Sequence, residues 1–140
     1  MRVDELVKLR YLDLAGAQAL VGEGVGRTPI TGYGRLRGVE ALTSRERAIQ
    51  VVLRDDEVRL VYLGAAGLGE LTAEDLEGRF GSGDTLRSRQ GRRAWLHVVA
   101  PEGVAWSEQD GQLGFVELFP PTTLESYRSD IYEEPPSFRQ

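Results

Sequence analysis

The sequence predicts an α+β fold, with an antiparallel sheet of about six to eight strands packed against two or three short helices. Three observations point to it. A helix with both ends written in local chemistry spans Ala73 to Phe80. Strand-like segments separated by turn residues follow it up to Phe119. The first half shows the same order of helix then hairpin in fainter form. A chain of 140 residues, 41% apolar and 28% charged, suits one domain with its own core.

In chain order, Asp4 is placed to cap a first helix through Leu6, Val7 and Arg10, and Leu14 to Val21 continues helically to a stop at Gly22. The glycine-rich stretch to Gly38 reads as loop plus a first strand. Thr43 and Glu46 have capping-box spacing, which also permits a helical turn there. Arg47 to Leu53 and Val58 to Leu63 read as strands around the turn Arg54-Asp55-Asp56-Glu57.

The second half is clearer. In Leu71-Thr72-Ala73-Glu74-Asp75-Leu76, Thr72 and Asp75 form a capping box in which Asp replaces the usual Glu or Gln, and Leu71 and Leu76 form a hydrophobic staple. Glu74 and Asp75 suit the positive end of the helix dipole, Arg79 the negative end, and Gly81 the left-handed stop. Thr85 to Gln90, Arg92 to Ala100, Gly103 to Ser107 and Leu113 to Phe119 then read as strands. Between them lie turns at Gln90-Gly91, Pro101-Glu102-Gly103 and Asp110-Gly111. Trp95, Leu96, Val98, Val104, Trp106, Phe115, Val116 and Leu118 are the expected core and sheet surface.

At an offset of 59, Leu12 aligns with Leu71, Ala17 with Leu76, and Gly22 with Gly81, a weak internal repeat. Residues 1–121 are therefore read as one domain with possible half-repeats 1–63 and 64–121. Residues 122–140 are read as an acidic, aromatic strap or tail.

Charge divides unevenly. Residues 1–100 hold 15 basic and 14 acidic side chains, net +1; residues 101–140 hold 2 and 8, net −6, which together give the formal −5. Overall acidity argues against nucleic acid as a partner. The concentrated positive feature is Arg87, Arg89, Arg92 and Arg93, with Arg87 and Arg89 on one strand face. Two readings fit this cluster: it docks the chain's own acidic end, or it binds phosphate or an acidic surface. The end itself, with Tyr127, Tyr132, Glu133, Glu134 and Phe138, is either a strap over its own domain or a segment that reaches a partner.

With no cysteine and one histidine, thiolate zinc sites, disulfides and cysteine nucleophiles are excluded. The glycines of Gly22-Glu23-Gly24-Val25-Gly26 follow a helix rather than a strand, with Arg27 where a dinucleotide fingerprint needs its third glycine. Ser82 lacks the nucleophile-elbow pattern. No cofactor and no metal site is expected. His97 reads as a partly buried or rim residue. A pocket lined by Trp95, His97 and Trp106 is the alternative. No stretch has the ~18–20 apolar residues of a membrane span, and the charged start MRVDELVKLR lacks a signal-peptide core, so a cytoplasmic location is expected.

The run Leu71-Thr72-Ala73-Glu74-Asp75-Leu76, then Phe80-Gly81, Gly103-Val104 and Val116-Glu117-Leu118, resembles the helix-then-antiparallel-sheet unit of the SmpA/OmlA small-lipoprotein family. It is also similar to the tandem-unit fold of the beta-lactamase inhibitor proteins. The resemblance covers about residues 68–120 and implies a non-enzymatic domain that binds other proteins through the sheet or its loops. The lipid-bearing cysteine of the lipoproteins is absent, so their membrane anchoring is not implied. The sequence is thus read as a non-catalytic binder of another protein, or of a second copy of itself, of accessory or immunity type. A small-ligand binder or enzyme built on the Trp95–His97–Trp106 pocket is the alternative.

Overall fold

A computed structural model describes residues 1–135, and these form one eight-stranded antiparallel sheet with four short α-helices. The N-terminal elements are α1 (Val3–Lys8), α2 (Leu14–Val21), β1 (Thr28–Ile30), β2 (Val39–Ser44), β3 (Ile49–Arg54) and β4 (Glu57–Gly64). After them come α3 (Ala73–Phe80), β5 (Asp84–Arg87), β6 (Trp95–Val99), β7 (Val104–Gln109), β8 (Gln112–Leu118) and α4 (Leu124–Asp130). The strand order is β1-β2-β3-β4-β8-β7-β6-β5: two four-stranded meanders join through their last strands.

The two meanders share their irregularities. Ladder register shifts between Val52 and Leu53 in one, and between Ser107 and Glu108 in the other. The hairpin after each bulge turns through two residues with positive φ, Asp55-Asp56 and Asp110-Gly111. That backbone matches the right-handed twist of paired strands. The helices before the meanders are both eight residues long and both end at a positive-φ glycine, Gly22 and Gly81.

Local chemistry explains the helix limits. The Thr72–Asp75 capping box forms reciprocally at 3.1 and 3.0 Å. Asp13 caps α2 through Gly16 N–H at 2.7 Å, and Thr123 caps α4 through Ser126 N–H at 3.1 Å. The expected cap at Asp4 does not form. The N-cap of α1 is Arg2, and Asp4 lies in the first turn, where the dipole favours it. The Asp13 cap and the extended backbone of Leu12 split the N-terminal helical region in two, and the C-terminal segment adds α4; hence four helices rather than two or three. Nor does Thr43 start a helical turn. It lies within β2, and Ser44 Oγ accepts from Arg47 N–H at 3.2 Å to close the hairpin into β3.

Both sheet faces are covered. One face, with Leu42, Val51, Val61, Val104, Trp106 and Val116, packs under the residues of α1, α2 and α3. The other, with Val52, Leu60, Leu96, Val98, Ala105 and Phe115, packs under Tyr33, Leu36, Tyr127, Ile131 and Tyr132. Residues of α4 and the segment after it are therefore part of the core. Among the described residues no helix is long and apolar enough to cross a membrane.

Candidate functional site

The arginine cluster is divided by the end of β5. The strand stops at Arg87, and the chain then turns rather than extending to Gln90. Arg87 is the register partner of Trp95 and shares its side of the sheet. Arg89 instead folds over the opposite face, with its guanidinium 4.4 Å from the Phe115 ring centre and 5.0 Å from that of Tyr33. The expectation that Arg87 and Arg89 share a face is thereby corrected: once the strand ends, period-two alternation no longer applies.

Below Arg89 lies a polar cluster that the sequence reading missed. Glu117 on β8 is 1% exposed. Its Oε1 accepts from Tyr127 O–H at 2.5 Å, and its Oε2 accepts from Tyr33 O–H. Arg89 donates to the Tyr33 hydroxyl at 2.8 Å and lies 3.5 Å from Glu117 Oε2. The desolvation of a buried carboxylate is offset here by a cation and two phenol donors, as burial of charge requires. Burial, and after it the Glu117 charge, push the Tyr33 and Tyr127 hydroxyls well above the ordinary phenol range. Both therefore stay neutral donors. Arg89 is pushed upward although burial opposes its charge, because Tyr33 and Glu117 hold it. The signal that could have located the cluster is Glu117 itself, a lone charge inside Phe115-Val116-Glu117-Leu118-Phe119.

The cluster joins four segments: β8, the loop holding Tyr33, the turn holding Arg89, and α4. Polar bonds extend around it. Ser88 and Ser107 pair at 2.6 Å, and Ser107 Oγ donates to Gln90 Oε1 at 2.7 Å. Tyr132 O–H donates to the Arg87 carbonyl at 2.8 Å, bringing the C-terminal segment against the end of β5. Burial, then Glu134, raises the Tyr132 phenol. Glu133 and Glu134 are exposed; Phe138 lies outside the described residues.

His97 and Trp106 are register partners on β6 and β7, and their rings stack at 5.3 Å and 15°. His97 Nδ1 donates to the Ser82 carbonyl at 3.0 Å, and Nε2 lies 3.3 Å from Glu108 Oε1. Trp106 is 1% exposed and belongs to the helix-side core. Trp95, two residues along β6 from His97, is 47% exposed. Its neighbours across the strands are Arg87 and Glu108, and Arg92 and Arg93 precede it on an exposed turn. The three residues are thus a buried tryptophan stacked on a partly buried histidine, and one surface ring. No group of three or more His, Asp or Glu among the described residues is placed to hold a metal ion.

Comparison of the chain with protein-family models, with curated proteins and with solved structures returns no match.

Proposed function

We propose that this chain is a non-catalytic protein that binds another protein, in an accessory or immunity-type role, through the surface around Trp95. The observation that carries this reading is Trp95 itself: a tryptophan 47% exposed on a paired strand, with Arg87 beside it and Arg92 and Arg93 on the adjoining turn. Tryptophan and arginine supply much of the affinity at protein interfaces, because each combines large contact area with polar donors. Mounting them on a sheet lowers the ordering cost of association. The partner chemistry that fits is an acidic surface bearing an apolar depression for the indole.

The test is site-directed crosslinking. A photoreactive residue at position 93, introduced in the source cells, should capture one protein, and Trp95→Ala should abolish that capture while leaving the melting temperature unchanged. The reading fails if the captured protein binds Trp95→Ala as tightly as the parent chain.

A further inference from the structure

We infer that the cleft between the Arg35 loop, the β3–β4 hairpin and α4 is a binding site for an oxyanion carried by a small organic molecule. It lies on the face of the sheet opposite Trp95 and is independent of the protein-binding reading.

The cleft has a volume of about 340 Å³, within the range of small-molecule sites. Its floor is apolar, with Leu36, Phe119 and Ile131. Its rim carries three arginines from separate segments, Arg35, Arg54 and Arg59. What distinguishes these arginines is how little negative charge meets them. Elsewhere in this acidic chain, Arg27 pairs with Glu40 at 2.8 Å and Asp56 at 2.6 Å, and Arg10 with Glu102 at 3.3 Å. Arg54 instead donates to the neutral Arg37 carbonyl at 2.7 Å and makes no ion pair with Glu57, its cross-strand register partner. Arg59, among the described residues, pairs only with Glu57, at 3.5 Å, and its Nε is buried without a hydrogen-bond partner. Among the described residues no carboxylate forms an ion pair with Arg35 or Arg54. Asp130 is, among the described residues, the one carboxylate lining the cleft, against three arginines of which Arg59 is also paired with Glu57.

The arrangement is also held in place. Arg35 N–H donates to the Ile131 carbonyl at 2.9 Å, which ties the loop to the end of α4. The Arg54–Arg37 bond ties the same loop to the sheet. Ser126 and Ser129 add hydroxyls to the wall. Three arginines lining one cleft beside an apolar floor suit a phosphate or carboxylate head on a small organic body. Phosphate esters and polycarboxylates share that chemistry, and the experiment separates them.

The full chain is titrated at low ionic strength with inorganic phosphate, with citrate and with chloride as control, following the arginine Nε–H resonances by NMR. Saturable shifts confined to Arg35, Arg54 and Arg59, with phosphate, citrate or both but not chloride, are the expected result, and the stronger of the two identifies the head group. Arg35→Gln, at an exposed position, should weaken binding at least tenfold with the thermal melt unchanged, and Arg54→Lys, which keeps the charge but loses the planar fork, should weaken it as far. Arg93→Gln should leave it unaltered. Shifts that are linear and equal for all three salts overturn the proposal. So does saturable binding that survives both Arg35→Gln and Arg54→Lys. Trp95→Ala leaves this titration unchanged, so failure here and failure of the protein-binding reading are separate results.

Discussion

Tyr127 of α4 donates its hydroxyl hydrogen to the Glu117 carboxylate of β8 at 2.5 Å, inside a core where Tyr127 and Glu117 are each 1% exposed. This bond fastens the C-terminal segment to the centre of the sheet. Glu117 also accepts from Tyr33, so one carboxylate anchors two separate coverings of the same face. The acidity of the C-terminal region is therefore not all surface charge. Part of it is structural and neutralised from above by Arg89.

Removing that carboxylate should be costly. Glu117→Ala leaves two buried phenols without their acceptor and Arg89 without its counter-charge. A loss of ~3–5 kcal/mol is expected, since breaking one partner of a buried charge pair falls in that range. Glu117→Gln keeps an acceptor for one tyrosine and should lose less. Urea unfolding of both variants measures the difference, and equal stability of Glu117→Ala and the parent would contradict the role assigned to the cluster.

Alkaline pH should unfold the protein cooperatively. The Tyr33 and Tyr127 phenols are raised in the folded state by burial, and then by Glu117. In the unfolded chain they titrate near ~10. Above that pH the unfolded state binds fewer protons than the folded one, so stability falls as pH rises. Their contribution is complete below about pH 10 and is lost as pH climbs above it. Absorbance at 295 nm should show part of the five-tyrosine signal released only together with loss of circular dichroism. Reversible ionisation of all five tyrosines near their ordinary value, with the fold intact, is the contrary outcome.

Gly34 sets how closely the Tyr33 loop approaches α4. Its φ is +53°, and a Cβ there would be driven into the Ile131 carbonyl oxygen. That oxygen is the acceptor for Arg35 N–H. Gly34→Ala should cost ~1–3 kcal/mol through the left-handed backbone and the displaced contact. Hydrogen exchange should also rise at Arg35 and Tyr127 while β3 and β7 stay protected. Protection unchanged at Arg35 would show that the loop does not depend on this approach.

The fold was legible where local chemistry and tertiary packing agree. Thr72, Asp75 and Gly81 mark the ends of α3 by hydrogen bonds within four residues, so its span can be read without any knowledge of the sheet. The Asp-Asp and Asp-Gly hairpins are equally local. β2 is not legible locally, because Val39–Ser44 lies between a glycine-rich loop and a sequence that imitates a helix start, and it is a strand because β1 and β3 flank it. The hydrogen bonds of the Glu117 cluster join residues up to 84 positions apart, a relationship that no window of sequence contains. The charge of Arg89 is plain in the sequence, but its direction follows from where β5 ends.

The two tryptophans should behave as opposites. Trp106 is 1% exposed, sits in the helix-side core, and stacks on His97 at 5.3 Å. Trp106→Ala leaves a cavity at the centre of β7 and should cost ~3–5 kcal/mol, as large-to-small changes at buried aromatics do. Trp95 is 47% exposed on the next strand, and its removal leaves no cavity. Trp95→Ala should fall within about 0.5 kcal/mol of the parent, the usual range for surface changes. The same contrast appears in solution without touching the core. Acrylamide should quench about half of the indole emission readily in the parent chain, and Trp95→Phe should remove that accessible fraction and leave a blue-shifted, protected emitter. A Trp95→Phe chain whose remaining fluorescence is as quenchable as free indole would place Trp106 at the surface, and with it would fall the distinction between the buried and the exposed indole on which the protein-binding reading depends.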